Sequence, residues 1–166
     1  MVELCFHGAA GTVTGSCIEV AHDGRKLLID CGLFQGSRSL EALNHRGLPV
    51  IPTEIGGVLL THAHLDHSGR LPALAKHGLT APVWCSAPTA RLIDPLLQDA
   101  AQLQRADVKR RNARPDRAGF PPFERLYDPI DVRHLMHLVH PTPLGSWQEA
   151  MPGWRFRFHD AHHVLG

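Results

Sequence analysis

Apolar and polar positions alternate along the first thirty residues in short runs that glycine-rich turns separate. Residues 2–6 alternate at the two-residue period of a strand, and residues 17–21 repeat the pattern after a Gly-rich turn. Asp23-Gly24 is a hairpin turn signal, after which residues 26–30 return as a strand buried on both faces. These runs predict a β meander. Residues 37–52 are mixed and loop-like, with room for a short helix. Residues 57–61 form another apolar run, and the helix predicted after it stops near His77-Gly78, with glycine as the terminator. Residues 82–85 read as a short strand. Residues 89–108 carry Ile93, Leu96, Leu97, Ala100 and Leu103 at helical spacing, with Pro95 as a kink or a first-turn residue. A loop at residues 119–122, a short helix over 131–138 and a cleanly alternating strand over 154–159 complete the reading. Strands interleaved with helices predict an α/β protein, a sheet with helices packed against it.

Composition changes this picture little. The chain has 166 residues, enough for one domain with a core. Its net charge of +1 gives no bulk argument for nucleic acid, so any RNA contact must be local. No apolar run is long enough to span a bilayer, and no basic-then-apolar leader opens the chain, so the expected location is cytoplasmic with no membrane partner. The four cysteines (Cys5, Cys17, Cys31, Cys85) lie in or beside apolar strands without Cys-x-x-Cys spacing, and are expected to be reduced core thiols.

The candidate chemistry lies at residues 61–67. His62, His64, Asp66 and His67 place four metal-capable side chains in six residues, between an apolar strand and the start of a helix. A strand end running through a loop into a helix is where α/β proteins put their chemistry. Residues two apart in extended backbone point the same way, so His62 and His64 can grip one ion. Asp66 and His67 lie past the bend and face a neighbouring position, which suits a pair of closely spaced ions. Imidazole favours zinc, iron and nickel, and the added carboxylate extends the choice to manganese. Thirteen histidines cannot all be ligands, but this spacing is hard to assign to packing. His162 and His163 lie just past the last strand, and spacing alone does not choose between them. Asp30 follows three apolar residues, so a buried carboxylate there must find partners. The glycines of residues 8–16 suggest a phosphate loop, but without its lysine or spacing they fit a tight strand connection better. The basic stretch Arg105, Lys109, Arg110, Arg111, Arg114 and Arg117 is ordinarily a solvated face. Were it to track RNA, the contact would be phosphate-directed and salt-sensitive.

The segment His62-Ala63-His64-Leu65-Asp66-His67 resembles the His-x-His-x-Asp-His motif of the metallo-β-lactamase fold. Residues 8–16, 28–36 and 160–166 narrow the resemblance to the β-CASP RNA-processing nucleases. The departure is His162, where family members usually carry glycine. The resemblance implies an αββα sandwich, present here only in part as the first sheet and its helices, with residues 1–166 the N-terminal part of the domain. It favours His163 over His162, giving a first zinc site of His62, His64 and His163. Asp66 and His67 begin a second site, whose bridging aspartate and further histidine are expected outside this chain, as is the β-CASP domain. Two zinc ions are implied for the intact family and one complete site here. The activity implied is cleavage of single-stranded RNA by a metal-bound hydroxide. Asp66 is then the catalytic residue, Asp30 orients a metal-bound histidine, and Arg110, Arg111 and Arg114 are candidate RNA contacts. Two other readings stay open: a hydrolase of the same fold acting on a small ester or thioester, and a non-catalytic metal-binding fragment. An incomplete sandwich would leave apolar faces uncovered, so self-association into a homodimer is also an expectation.

Overall fold

The computed structural model describes residues 1–115 and 119–166. Strands β1 (Val2–Gly8), β2 (Cys17–His22) and β3 (Arg25–Ile29) run antiparallel, the last two joined by a two-residue turn. Asp23 and Gly24 both take positive φ there, as the Asp-Gly signal requires. From β3 onward the sheet is parallel through β4 (Ile55–Leu59), β5 (Val83–Cys85) and β6 (Val139–Pro141), in the order β1-β2-β3-β4-β5-β6. Parallel neighbours need long crossovers. These carry α1 (Arg38–Glu41), then α2 (Leu65–Ser68) with α3 (Leu71–Lys76), and finally α4 (Ala87–Asn112) with α5 (Pro129–Met136).

One face of the sheet buries Leu28, Val58 and Val83 among Leu71, Leu74, Ile93, Leu97, Val132 and Leu135, all fully buried. Each such side chain contributes about 1.5–3 kcal/mol through burial. The other face meets a hairpin of β7 (Gln148–Met151) and β8 (Trp154–Phe156), where Phe156 packs on Trp84 with ring centroids 5.1 Å apart. The layers are therefore helices, a six-stranded sheet and a two-stranded second sheet. The alternating run at 154–159 forms only a three-residue strand, and it belongs to this second sheet rather than the first.

Four further features differ from the sequence reading or add to it. Strand β1 exposes Val2, Leu4 and Phe6, because it lies at the sheet edge and no described residue covers these side chains. Cys5 is exposed for the same reason, whereas Cys17, Cys31 and Cys85 are buried and reduced. Helix α4 runs four residues beyond the predicted end, absorbing Lys109, Arg110 and Arg111 into its last turn, where cations meet the negative end of the helix. Strand β6 carries no strong sequence signal: it has three residues, and its proline is tolerated at the sheet edge.

Candidate metal centre

The motif loop is built by neighbours that hold its backbone. Leu60, just past β4, is fully buried and donates its N–H to Trp84 at 2.8 Å. The chain then turns through residues 61–64 into the single-turn helix α2, which Ser68 closes by donating Oγ–H to the carbonyls of Ala63 (2.9 Å) and His64 (3.0 Å). Three carbonyls of α2 accept from two other segments: Asp66 from Ser16 N–H, His67 from Cys31 N–H and Leu65 from Leu33 N–H, each at 2.8 Å. This close approach explains Gly32. A Cβ on it would lie 1.6 Å from the Asp66 carbonyl oxygen, so no larger residue fits.

Asp30 sits where these segments meet, 2% exposed and with φ of +61°, a conformation rare for any residue but glycine. Its carboxylate supplies the compensation. Oδ1 accepts from Thr61 N–H at 2.8 Å. Oδ2 accepts from Thr61 Oγ1 at 3.0 Å, Ser16 Oγ at 3.3 Å and His67 Nδ1 at 2.7 Å. A carboxylate on Nδ1 fixes the proton there and turns Nε2 outward, toward Asp66 Oδ2 at 3.7 Å. The same hydrogen bond raises the His67 pKa above the usual 6.5. Because Thr61 gives its hydroxyl proton to Asp30, its oxygen accepts from His62 Nδ1 at 3.0 Å. His62 Nε2 is thereby left as an acceptor, within hydrogen-bond reach of His64 Nδ1 at 3.2 Å. Burial, and then the neighbouring His67 and His64, push the His62 pKa below 6.5 and keep it the neutral base a metal needs.

His163 completes the group. Its ring lies 5.2 Å from His62 and 5.6 Å from His64 between centroids, and one ligand nitrogen from each of the three falls within 4.8 Å of the others. Nitrogens bound tetrahedrally at ~2.0–2.1 Å stand roughly 3.3 Å apart. His62 and His64 already have that separation, and His163 lies on an exposed segment that needs to close by an ångström or so. The donor set fits a zinc-type ion. Among the described residues this is the cluster of three ligands, while Asp66 and His67 stand beside it as a pair.

His162 points away, its side chain 88% exposed and its N–H donating to Asp160 Oδ1 at 2.7 Å. It has φ of +53°, the left-handed conformation that the usual glycine would adopt without strain. Arg110 and Arg111 both pair with Asp107, at 2.5 and 2.6 Å, Arg114 is exposed at the end of the helix, and Arg117 lies outside the described residues. Sequence reasoning missed Ser16, Thr61, Ser86 and Thr89. Their hydroxyls carry no spacing signal and acquire meaning only through their acceptors.

The sheet, its helix layer and the histidine cluster define an α/β fold with a candidate metal site beyond the strand ends. Residues 10–149 match the model of the metallo-beta-lactamase superfamily, and the chain belongs to that family, whose members bind metal, usually zinc. It is 37% identical over 140 residues to ribonuclease TTHA0252 of Thermus thermophilus, covering 84% of this chain and 28% of that protein. It is 30% identical to transcription termination factor FttA of Methanocaldococcus jannaschii, covering 99% of this chain and 24% of that one. These names, a ribonuclease and a transcription termination factor, agree with the RNA-processing resemblance that the motifs carry. The chain spans about a quarter of the length of the curated relatives it matches. A subclass B3 metallo-beta-lactamase from a soil metagenome library is 16% identical with a TM-score of 0.42, over 83% of this chain and 43% of that one. No helix among the described residues is long and apolar enough to cross a membrane.

Proposed function

We propose that this chain carries the metal-binding part of an RNA-cleaving hydrolase centre, acting in the cytoplasm on single-stranded RNA. The observation that carries the proposal is the convergence of His62, His64 and His163, two neighbours on a buttressed loop and one from a segment a hundred residues away. These three imidazoles would hold one zinc ion, and Asp66 with His67 would contribute to a second. A bound divalent ion supplies a Lewis acid for the phosphoryl oxygens and lowers the pKa of water to about 7. The protein's own groups do the rest. Asp30 holds the His67 ring by its Nδ1 proton and leaves Nε2 free. Thr61 passes the same orientation to His62. Asp66, half-buried beside them, is the carboxylate placed to accept a proton from the attacking water. Arg110, Arg111 and Arg114 are the proposed phosphate contacts, the first two sharing Asp107 as an ion-pair partner.

The test incubates zinc-loaded protein with end-labelled single-stranded RNA, a thioester and a β-lactam. RNA cleavage that His64→Ala and Asp66→Ala abolish supports the reading. RNA left intact while the thioester or lactam is hydrolysed overturns it. About one bound ion with nothing hydrolysed also overturns it, in favour of a non-catalytic metal-binding unit. One observation favours that second reading: only one set of three ligands forms among the described residues.

A further inference from the structure

His163 is held by contacts that its own neighbours do not make. Residues 157–163 form no regular element, and His159 through His163 are all exposed. The segment is tied at two points. Before His163, the Phe158 carbonyl accepts from Gly145 N–H at 2.8 Å. After it, the Gly166 main-chain oxygen accepts two hydroxyl protons, from Ser86 Oγ at 2.6 Å and Thr89 Oγ1 at 2.9 Å.

Both hydroxyls belong to the first turn of α4 and are buried, Thr89 completely. Ser86 is the N-cap of that helix, its oxygen accepting from Thr89 N–H at 3.2 Å, so it has a local role besides holding Gly166. Thr89 has none. At the third helical position a β-branched residue gains nothing for the helix, and its hydroxyl donates to the Gly166 oxygen. The positive end of a 26-residue helix adds to the attraction for that oxygen. The approach is close enough to exclude a side chain at 166, where a Cβ would stand 2.6 Å from Thr89 Oγ1 and 2.8 Å from Thr89 N.

We propose that Thr89, with Ser86, is a positioning residue for the third metal ligand: the two hydroxyls fix the far end of the 157–166 segment and so set the reach of His163 toward His62 and His64. This rests on the three-histidine reading above. Removing the clamp takes away one of the contacts that hold the segment carrying His163, so the ion loses affinity through disorder of an intact ligand.

Zinc titration calorimetry and the visible spectrum of the cobalt-loaded protein test this on wild type, Thr89→Val, Thr89→Ser and His163→Ala, with the metal-free melting temperature as a check on folding. Thr89→Val keeps the shape and the N-cap. It is expected to weaken zinc binding about 10-fold, the lower end of the effect of losing a group that orients a ligand. It should also shift the cobalt spectrum toward that of His163→Ala, while Thr89→Ser restores both. In the His163→Ala background Thr89→Val should have no further effect. Wild-type affinity in Thr89→Val overturns the inference, and so does an equal loss in both backgrounds, which marks a general structural effect. Wild-type affinity in His163→Ala overturns the three-histidine reading instead. Should Thr89→Val fail to fold, Gly166→Ala disturbs the same contact from the other side and decides by the same criteria.

Discussion

Residues 61–67 and residues 157–166 deliver imidazoles to one cluster, yet they are held in different ways. The first segment is tied through its backbone to residues 16, 31 and 33, and a buried carboxylate accepts four hydrogen bonds beneath it. The second is largely exposed, with hydrogen bonds to other segments at Phe158 and Gly166. His62 and His64 therefore stand at a ligand-like separation before any ion arrives, whereas His163 stands further off. In the proposed centre the fold pre-organises two of the three ligands, and an ion would draw in the third. Damage to the first segment should cost stability and metal together. Damage to the second should cost metal alone.

The largest effect is expected for Asp30→Ala. It strands the donors of Thr61, Ser16 and His67, at least one in a buried site, and should lower stability by about 3 kcal/mol or more in urea unfolding, with a severe loss of zinc affinity. A loss below about 1 kcal/mol would refute the claim that this carboxylate organises the loop. Gly32→Ala should follow, since its methyl would displace the α2 backbone. Overpacking of this kind costs about 1–3 kcal/mol, and zinc affinity should fall with it. His163→Ala should leave the metal-free melting temperature unchanged but abolish most of the stabilisation by zinc, which for wild type is ~2.7 kcal/mol at a hundred times Kd. Equal destabilisation without metal would erase the contrast between the segments.

A pH test is smaller in effect and works on the metal-free protein. Because Asp30 raises the His67 pKa above 6.5, the pair stabilises the fold fully below about pH 6.5 and loses that contribution as pH rises through the raised value. The stability advantage of wild type over His67→Gln should therefore shrink between pH 6 and 8, as followed by urea midpoints. A widening gap would reverse the assigned direction. The smallest effect is expected for His162→Gly. Relief of the left-handed strain, worth ~1–2 kcal/mol, is offset in part by the freedom glycine gains when unfolded, and zinc affinity should not change. A marked loss of affinity would make His162 a participant.

Much of the first segment was legible in the sequence because its signals are local. Alternation located β1 to β3, Asp23-Gly24 fixed their hairpin, and four ligand types in six residues marked the site. Asp30 was legible as a buried carboxylate in need of partners, though not which ones. Its partners Ser16 and Thr61 are 14 residues before and 31 after it, and ordinary hydroxyls announce nothing. The second segment was harder to read. The choice between His162 and His163 turns on a backbone angle that spacing does not encode. The clamp on Gly166 comes from a helix cap 80 residues away. Exposure of β1 was invisible for a related reason: alternation shows that a strand has an apolar face and is silent on whether anything covers it. The true length of α4 was hidden because a run of arginines suggests solvent, while at a helix end it also satisfies the dipole.

The central claim is that three imidazoles from two distant segments share one cation. X-ray absorption of the zinc-loaded protein and of its His163→Ala variant tests it most directly. The account predicts three imidazole scatterers at ~2.0–2.1 Å in the wild type and two in the variant. The same coordination in both would contradict it.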